Sequence, residues 1–298
     1  MISIWGIIMA LLGAIEGGGT KFVVAVADAA HPETVVARES FPTAYAAETM
    51  SQIQAFFDQY QDIVAIGISM FGPIDVNPAS RTYGYVLATP KRGWSGYNFL
   101  GAMTEWRDIP YYWTTDVNGS AWGEFVSGAG KENDNILYLT VGTGIGAGIV
   151  ANGQLLQGIS HPEAGHIMVN KHPMDTYKGH CPFHGDHCLE GVASGPAMAE
   201  RWGQPANLLD DDSTAWQLEA FYLAQAAVTY TTILRPEKII FGGGVPHRDV
   251  LMSLVRKSFA AQLSDYLAVP NLDDYLVRAG NGDDAGILGS FYLAKTLV

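Results

Sequence analysis

Cysteine is nearly absent from this chain, with only two among its 298 residues. Two cysteines cannot build the dense disulfide framework of a small secreted protein. Basic residues are also few: 17 Lys and Arg stand against 30 Asp and Glu, and no basic run occurs. The formal charge of −13 argues against a nucleic acid partner, because a polyanion would be repelled over most of the surface.

Long apolar runs are missing as well. The N-terminal segment MISIWGIIMALLGA is apolar, but it is too short to span a bilayer and lacks a positive start. We therefore expect no membrane partner and a cytoplasmic location. Met9 is an alternative start, and in that case residues 1–8 would be an upstream extension or an added strand without function.

The length of the chain favours two domains, since it exceeds what one compact core usually needs. Apolar stretches predict strands at 11–15, 22–27, 63–69, 135–141 and 238–241. Helical spacing and polar caps predict helices at 46–60, 116–126, 213–234, 247–263 and 284–297. The alternation of strands and helices indicates an α/β fold, and the turn-forming residues at 74–113 indicate a long excursion of the chain without regular elements. Each half opens with a strand, a glycine turn and a second strand, at 11–27 and 136–151. In the later unit, the strand after the glycine turn is predicted to begin near residue 149.

Histidine and cysteine are concentrated between residues 161 and 191, which hold six of the eight histidines and both cysteines. Thiolate sulfur and imidazole nitrogen are the ligands that suit tetrahedral zinc. Cys181, His184 and Cys188 share one short loop, and His166 lies upstream, so these four residues form a candidate zinc site. A polar loop with two free thiols is the alternative. A disulfide is less favoured, because nothing indicates an oxidising compartment.

The identity of one ligand stays open at this point, since His187 is also within reach of both cysteines. Glu163 and Glu190 flank the proposed ligands. A zinc ion with four protein ligands has no open position for water. Such an ion would shape a site for a polar substrate without doing chemistry itself.

Three glycine-rich turns each follow an apolar strand: GGGTK at 17–21, GTGIG at 142–146 and GGG at 242–244. Without a Cβ atom, such turns let backbone N–H groups approach an anion. None of them fits the P-loop pattern or the dinucleotide fingerprint. Three together favour a phosphate donor that bridges two domains, and purely structural turns are the alternative.

Five motifs, in one order, resemble the ROK family (repressors, open reading frames, kinases) of actin-like sugar kinases. The sequences IEGGGTKF, VGTGIG and FGGGV resemble its three ATP-binding motifs. The sequence EAGH at 163–166 and the segment from Cys181 to Glu190 resemble its signature. The sequences EGGGTKF and CPFHGD are similar to the corresponding motifs of the bacterial fructokinase branch. The resemblance covers almost the whole chain from Met9.

The resemblance implies roles for individual residues. Asp116 matches the general base, and a carboxylate that takes the proton of a sugar hydroxyl suits phosphoryl transfer; a helix cap is the alternative reading. Glu163, His166 and Glu190 match sugar-binding positions, and His166 also matches a zinc ligand. Glu16 would orient Mg²⁺ or its waters. The remaining matches to ATP-binding positions are Gly18, Gly19, Thr20, Lys21, Gly142, Thr143, Gly144, Gly242, Gly243 and Gly244.

Two positions depart from the family's glucokinases. Thr115 stands where those enzymes have an Asn that contacts sugar, which favours a sugar other than glucose. His184 stands where the middle cysteine of a three-cysteine zinc loop would be. Trp94 is a further candidate for sugar contact, since an aromatic face suits a sugar ring, although core packing is the more common role of tryptophan.

We therefore predict a two-domain, actin-like (ribonuclease H-like) α/β fold with a central interdomain cleft. One domain would comprise residues 1–115 with the C-terminal helix at 284–298, and the other residues 116–283. The predicted activity is phosphorylation of D-fructose to D-fructose 6-phosphate by ATP and Mg²⁺, in a homodimer with structural Zn²⁺. Mannose, glucose or an N-acetylhexosamine is the alternative substrate. A sugar-sensing repressor is less favoured, because the first ATP motif begins at Glu16 and leaves no room for a preceding helix-turn-helix.

Overall fold

The computed structural model describes residues 10–298; Met9 and the eight residues before it, with the predicted alternative start, lie outside the described residues. The strands from residue 10 onward are β1 (Leu11–Gly17), β2 (Lys21–Asp28), β3 (Val35–Pro42), β4 (Ile63–Met70), β5 (Tyr111–Thr115), β6 (Ile136–Val141), β7 (Ile145–Ala151), β8 (Gln154–Leu155), β9 (Lys238–Gly242) and β10 (Leu276–Arg278). The helices in the same range are α1 (Ala46–Phe57), α2 (Phe99–Trp106), α3 (Asp116–Ser127), α4 (Leu189–Ala193), α5 (Gly195–Trp202), α6 (Thr214–Leu234), α7 (Asp249–Leu263), α8 (Leu272–Tyr275) and α9 (Ala285–Lys295).

The chain folds as two compact units. Unit 1 comprises the described residues up to Gly123, the short segment Gly158–His161 and the C-terminal segment Asp284–Val298. Unit 2 comprises Glu124–Gln157 and Pro162–Asp283. The first division falls inside α3, and α9 belongs to unit 1.

Each unit has one five-stranded sheet, and the two sheets have the same topology. In unit 1 the order is β3-β2-β1-β4-β5, where β1, β2 and β3 pair antiparallel and β1, β4 and β5 pair parallel. In unit 2 the order is β8-β7-β6-β9-β10 with the same directions. The first and second glycine turns occupy equivalent places, because each joins the central strand of its sheet to the antiparallel neighbour.

Side chains of β2 alternate between the two faces of the unit 1 sheet, as the period of two in a strand requires. Phe22 and Val24 pack on the face that α1 and α2 cover. Val23 and Ala25 lie on the other face, where they contact the cluster that contains Phe291 of α9. Helices therefore cover both faces of the sheet. Because side chains on both faces are buried, the sequence of β2 is a nearly continuous apolar run.

The core of unit 2 forms around α6, which packs against α7 and the sheet. Ser213 caps α6, because its side chain accepts a hydrogen bond from the N–H of Ala215. The helix ends at Arg235, directly before Pro236, as predicted. No helix among residues 10–298 combines the length and the apolar character that a membrane crossing requires.

The structure differs from the prediction in several stretches, and the elements that were not predicted include β5, β8, β10, α4, α5 and α8. The predicted excursion at 74–113 contains α2, which Asn98 caps by accepting from the N–H of Gly101 at 2.9 Å. The edge strand β3 was not predicted, because most of its side chains are exposed and its sequence lacks an apolar pattern. β7 begins at Ile145 and not near residue 149, since the two glycines that follow Ile145 pair with β6 in extended backbone.

Candidate active site

The first glycine turn joins β1 to β2, and hydrogen bonds hold its shape. The N–H of Gly18 donates to the carbonyl of Lys21 at 2.9 Å. Thr43 donates twice to the turn: its hydroxyl to the carbonyl of Gly18 at 2.7 Å and its N–H to the carbonyl of Thr20 at 2.9 Å. Thr20 and Lys21 are exposed. A fixed backbone therefore presents a hydroxyl and an ammonium to solvent, as an anion site requires.

Parallel pairing brings the first glycine turn and Asp116 to one edge of the unit 1 sheet. Gly17 is in register with Met70 of β4, and Met70 is in register with Thr115 at the end of β5. Asp116 is the residue after Thr115. The carboxyl ends of parallel strands are the usual place for ligand sites in such sheets.

Glu16 lies partly buried at this edge, against the first turn of α9. A Cβ atom at Gly286 would lie 2.6 Å from Cδ of Glu16, so a larger residue there would displace the carboxylate from its present position. Burial, and next the negative charge of Asp116, raises the pKa of Glu16 to about 7. The positive charge of Lys21 opposes this shift. Glu16 therefore keeps its proton to a higher pH than an exposed glutamate does, and such perturbed carboxyl groups are common in functional sites.

Asp116 begins α3, directly after Thr115. The cap is Thr115, whose hydroxyl accepts a hydrogen bond from the N–H of Asn118 at 3.2 Å. The Asp116 carboxylate accepts from the N–H of Val117 at 2.9 Å. Thr115 therefore caps α3, while the Asp116 carboxylate also accepts from an N–H of the first turn; the role of Asp116 as general base and its alternative role at the helix start both stay predictions.

In unit 2, Glu190 contacts both the second glycine turn and His166. Its Oε2 accepts from the N–H of Ile145 at 3.0 Å, and its Oε1 lies 3.6 Å from Nε2 of His166. Glu163 is exposed, and its carbonyl accepts from the N–H of His166 at 3.0 Å. Two predicted sugar-binding side chains, His166 and Glu190, therefore lie together beside a predicted ATP-binding turn. The third, Glu163, is tied to them through the backbone.

The second and third glycine turns lie side by side in unit 2. β6 and β9 run parallel, so the residues that follow them emerge at the same edge of the sheet. The second turn is closed by a hydrogen bond from the N–H of Gly142 to the carbonyl of Gly144 at 3.0 Å, and Thr143 is exposed at its tip. In the third turn Gly243 has a φ of +82°, and a Cβ atom there would lie 2.5 Å from the carbonyl oxygen of Val141. This close approach and the positive φ both require glycine.

The four predicted zinc ligands come together in unit 2, where one ligand atom from each of His166, Cys181, His184 and Cys188 lies within 4.8 Å of the others. Nδ1 of His166 is 3.9 Å from Sγ of Cys181 and 3.6 Å from Sγ of Cys188. Nδ1 of His184 is 3.6 Å from Sγ of Cys181. A tetrahedral zinc with bonds of about 2.3 Å to sulfur and about 2.0 Å to nitrogen would separate these atoms by about 3.6 Å. The donor set therefore fits zinc in chemistry and in spacing.

His187 lies outside this group. Its side chain is 77% exposed, and its Nε2 lies 3.6 Å from Oδ1 of Asp186. His184 is therefore the ligand that the geometry favours. Both cysteines are buried thiols, and burial, assisted by the Cys181 thiol, raises the pKa of Cys188. Zinc would bind the thiolates, so binding would release protons.

Trp94 does not present a face to a ligand. Its relative exposure is 0%, and its ring lies 5.4 Å from that of Phe22 and 5.3 Å from that of Phe71, between centroids. Its Nε1–H donates to the carbonyl of Ala44 at 2.9 Å. The predicted sugar contact is therefore wrong, because packing in the unit 1 core covers the whole ring, and the alternative of core packing is confirmed.

Known proteins are similar to this chain in sequence and in fold. The model of the ROK family matches residues 12–297. The chain belongs to the ROK family. A fructokinase of Pediococcus pentosaceus is 45% identical over 285 residues, which cover 96% of this chain and 98% of the relative. A fructokinase of Lactococcus lactis subsp. cremoris is 43% identical, over 96% of this chain and 97% of the relative.

Solved ROK structures share the fold. A ROK hexokinase from Thermus thermophilus superposes with a TM-score of 0.78 at 23% identity, over 96% of this chain and 98% of that structure. The predicted actin-like α/β architecture is therefore confirmed for this ROK protein, as the two sheets of identical topology also indicate.

Two residues that shape the site of this ROK protein were not recognised from the sequence. Gly286 leaves the space that Glu16 occupies, and the available signal was a glycine in the first turn of a predicted helix. Thr115 was noted only as a departure from the glucokinases. Its capping role could have been predicted from a threonine directly before the helix.

Proposed function

We propose that this ROK protein is an ATP-dependent kinase that transfers a phosphoryl group to D-fructose and forms D-fructose 6-phosphate. The observation that carries the proposal is its similarity, at 45% and 43% identity over nearly the full length of both chains, to proteins named fructokinase. The donor would be ATP with Mg²⁺, bound by the glycine turns. The local geometry supports the same reaction class.

Asp116 would act as the general base in unit 1. A sugar hydroxyl is a poor nucleophile, and a carboxylate that accepts its proton lowers the barrier to attack on the terminal phosphorus of ATP. The elevated pKa of Glu16 supports a role near Mg²⁺, because a nearby divalent cation stabilises the ionised form that burial disfavours. Glu16 would accept hydrogen bonds from waters of the ion.

His166 and Glu190 would bind sugar hydroxyls in unit 2. The Nδ1 atom of His166 belongs to the four-residue zinc group, while its Nε2 lies near Glu190. Zinc bound through Nδ1 would fix the ring and its tautomer, so that Nε2 stays oriented for a ligand. The ion itself would be structural, since four protein ligands leave no position for water.

A coupled assay with a panel of hexoses tests the proposal. We expect kcat/KM for fructose to exceed the values for mannose, glucose and N-acetylhexosamines. If glucose exceeded fructose, the substrate assignment would be wrong and the kinase assignment would stand. If no hexose were phosphorylated, the kinase assignment itself would fail.

Glucose is the second candidate, because a glucokinase of Halalkalibacterium halodurans is 31% identical over 78% of this chain. Thr115→Asn tests what separates the two sugars. Asn caps a helix as well as Thr, so α3 should be undisturbed. We expect the variant to raise the ratio of kcat/KM for glucose over fructose, while an unchanged ratio would remove Thr115 from the explanation of specificity.

The homodimer and the cytoplasmic location stay predictions. Light scattering on the purified protein checks the first. The absence of a nucleic acid partner is expected from the charge of −13, and the absence of a membrane partner from the shortness of the N-terminal apolar segment. Binding to DNA and to vesicles checks these two expectations.

A further inference from the structure

A groove on unit 1, beside the first glycine turn, has no role in the proposed function so far. Its volume is about 380 Å³, and its lining residues are Thr43, Ala44, Tyr45, Pro90, Lys91 and Arg92. Cε of Lys91 lies 3.8 Å from the position that a Cβ atom would take at Gly19. The ammonium group is one bond further along the side chain, so it reaches the vicinity of the turn.

The ammonium of Lys91 has no partner among residues 10–298: no carboxylate lies at ion-pair distance, and no acceptor lies at hydrogen-bond distance. The ammonium of Lys21, on the turn itself, likewise makes no ion pair or hydrogen bond within residues 10–298, although its charge acts on the nearby Glu16 carboxyl. The protein has 30 acidic and only 17 basic residues, so two lysines without an ion pair next to one turn are unexpected by composition. An anion would satisfy both.

The loop that carries Lys91 is held firmly. Trp94 anchors it through the hydrogen bond to Ala44. Thr89 and Ser95 close it, because the N–H of Thr89 donates to the Ser95 hydroxyl at 3.0 Å and this hydroxyl donates to the carbonyl of Thr89 at 2.8 Å. Lys91 is thus presented from a preorganised backbone, which is what an electrostatic contact needs in order to be effective.

We infer that Lys91 contacts the terminal phosphoryl group of ATP at the first glycine turn and stabilises it during transfer. The inference rests on the proposed function. The sugar oxygen forms a bond to the terminal phosphorus, the bond from that phosphorus to the bridging oxygen of ADP breaks, and its electron pair leaves with ADP. The hydroxyl proton passes to Asp116. Lys91 keeps its proton and donates hydrogen bonds to phosphoryl oxygens, whose charge is spread in the transition state.

Lys91→Met tests the inference, because it keeps the apolar stem and removes the charge. Arg92→Met is the matched control, since it removes one positive charge from the same loop, where the Arg92 guanidinium lies 5.9 Å from the centre of the Tyr45 ring. We expect Lys91→Met to lower kcat by about 10²- to 10³-fold, as for loss of one preorganised donor. Arg92→Met should stay within about twofold. Lys91→Arg should restore part of the lost rate.

Nucleotide binding gives a readout that does not depend on the sugar. By calorimetry, Lys91→Met should weaken the Mg²⁺ complex of AMPPNP by about tenfold and leave that of ADP, which lacks the terminal group, nearly unchanged. Equal weakening of both nucleotides, or equal effects of the two methionine variants, would overturn the inference in favour of a general field effect. Unchanged kcat and unchanged binding in a folded variant would overturn it outright. If the wild type phosphorylated no hexose, the proposed function would fail, and the nucleotide comparison would still decide the contact.

Discussion

Glu16→Gln is expected to change how the stability of the protein depends on pH. In the folded protein the pKa of Glu16 is about 7, compared with 4.5 for an unperturbed glutamate. The folded chain therefore keeps a proton that the unfolded chain loses between pH 4.5 and pH 7, so ionisation of Glu16 destabilises the fold. Each pKa unit is worth about 1.4 kcal/mol, and the free energy of unfolding should fall by about 3 kcal/mol as pH rises through this window.

Urea unfolding of the nucleotide-free protein between pH 5 and pH 8 measures this effect. Other carboxyl groups titrate in wild type and variant alike, so the difference between the two proteins isolates Glu16. Relative to the wild type, Glu16→Gln should gain about 2–3 kcal/mol from the low to the high end of this range. A difference that stayed constant within about 0.5 kcal/mol would refute the reasoning, because Glu16 would then titrate as an exposed carboxyl does.

The second cause of the raised pKa can be separated from the first. Asp116→Asn removes a negative charge near Glu16 but leaves its burial, so the window of pH-dependent stability should move to lower pH without disappearing.

In the kinase assay, kcat/KM for Mg·ATP should rise with pH around 7 in the wild type, since the ionised form of Glu16 would serve the metal. Glu16→Gln should lack this limb of the profile.

Three further predictions follow from other parts of the structure. Asp116→Asn should lower turnover by about 10²–10⁴-fold while calorimetry still detects sugar binding, and a rate close to wild type would exclude Asp116 as the base. Elemental analysis should find about one zinc per chain. The zinc content should fall in Cys181→Ser and His184→Ala but not in His187→Ala, because His187 lies outside the ligand group. Equal loss of zinc from both histidine variants would contradict the assigned ligands. Glu219 is buried, its carboxylate oxygens have no hydrogen-bond partner within residues 10–298, and burial raises its pKa well above the usual value. Glu219→Gln should therefore gain stability relative to wild type as pH rises from 5 to 8, and a constant difference between the two proteins at all pH values would argue against this.

The glycine turns were predictable because their signal is local. A run of apolar residues followed by two or three glycines needs no tertiary information to indicate a strand and a tight turn. The same local reasoning failed for β7, where Gly146 and Gly148 lie in extended backbone and pair with β6. Glycine permits both conformations, so only the partner strand decides between them.

The four candidate zinc ligands were predictable from residue type, but the choice between His184 and His187 was not. Both are close to Cys181 and Cys188 in the chain, and the direction of each side chain depends on how the loop folds. For Trp94 the sequence led to the wrong environment, a sugar site in place of the core. Its position in a turn-rich segment gave no sign that Phe22 and Phe71, far away in the sequence, would enclose the ring.

By itself, the sequence determined the α/β class, the places of the three turns and the family, because strand, turn and motif signals depend on neighbours along the chain. Only the tertiary structure decided which carboxylates have perturbed environments. Glu16 has a pKa near 7 because parallel pairing of β1, β4 and β5 brings Asp116 to the same sheet edge and Gly286 lets α9 cover the carboxylate. Asp116 lies 100 positions and Gly286 lies 270 positions from Glu16 along the chain, and no local pattern encodes their effect on it.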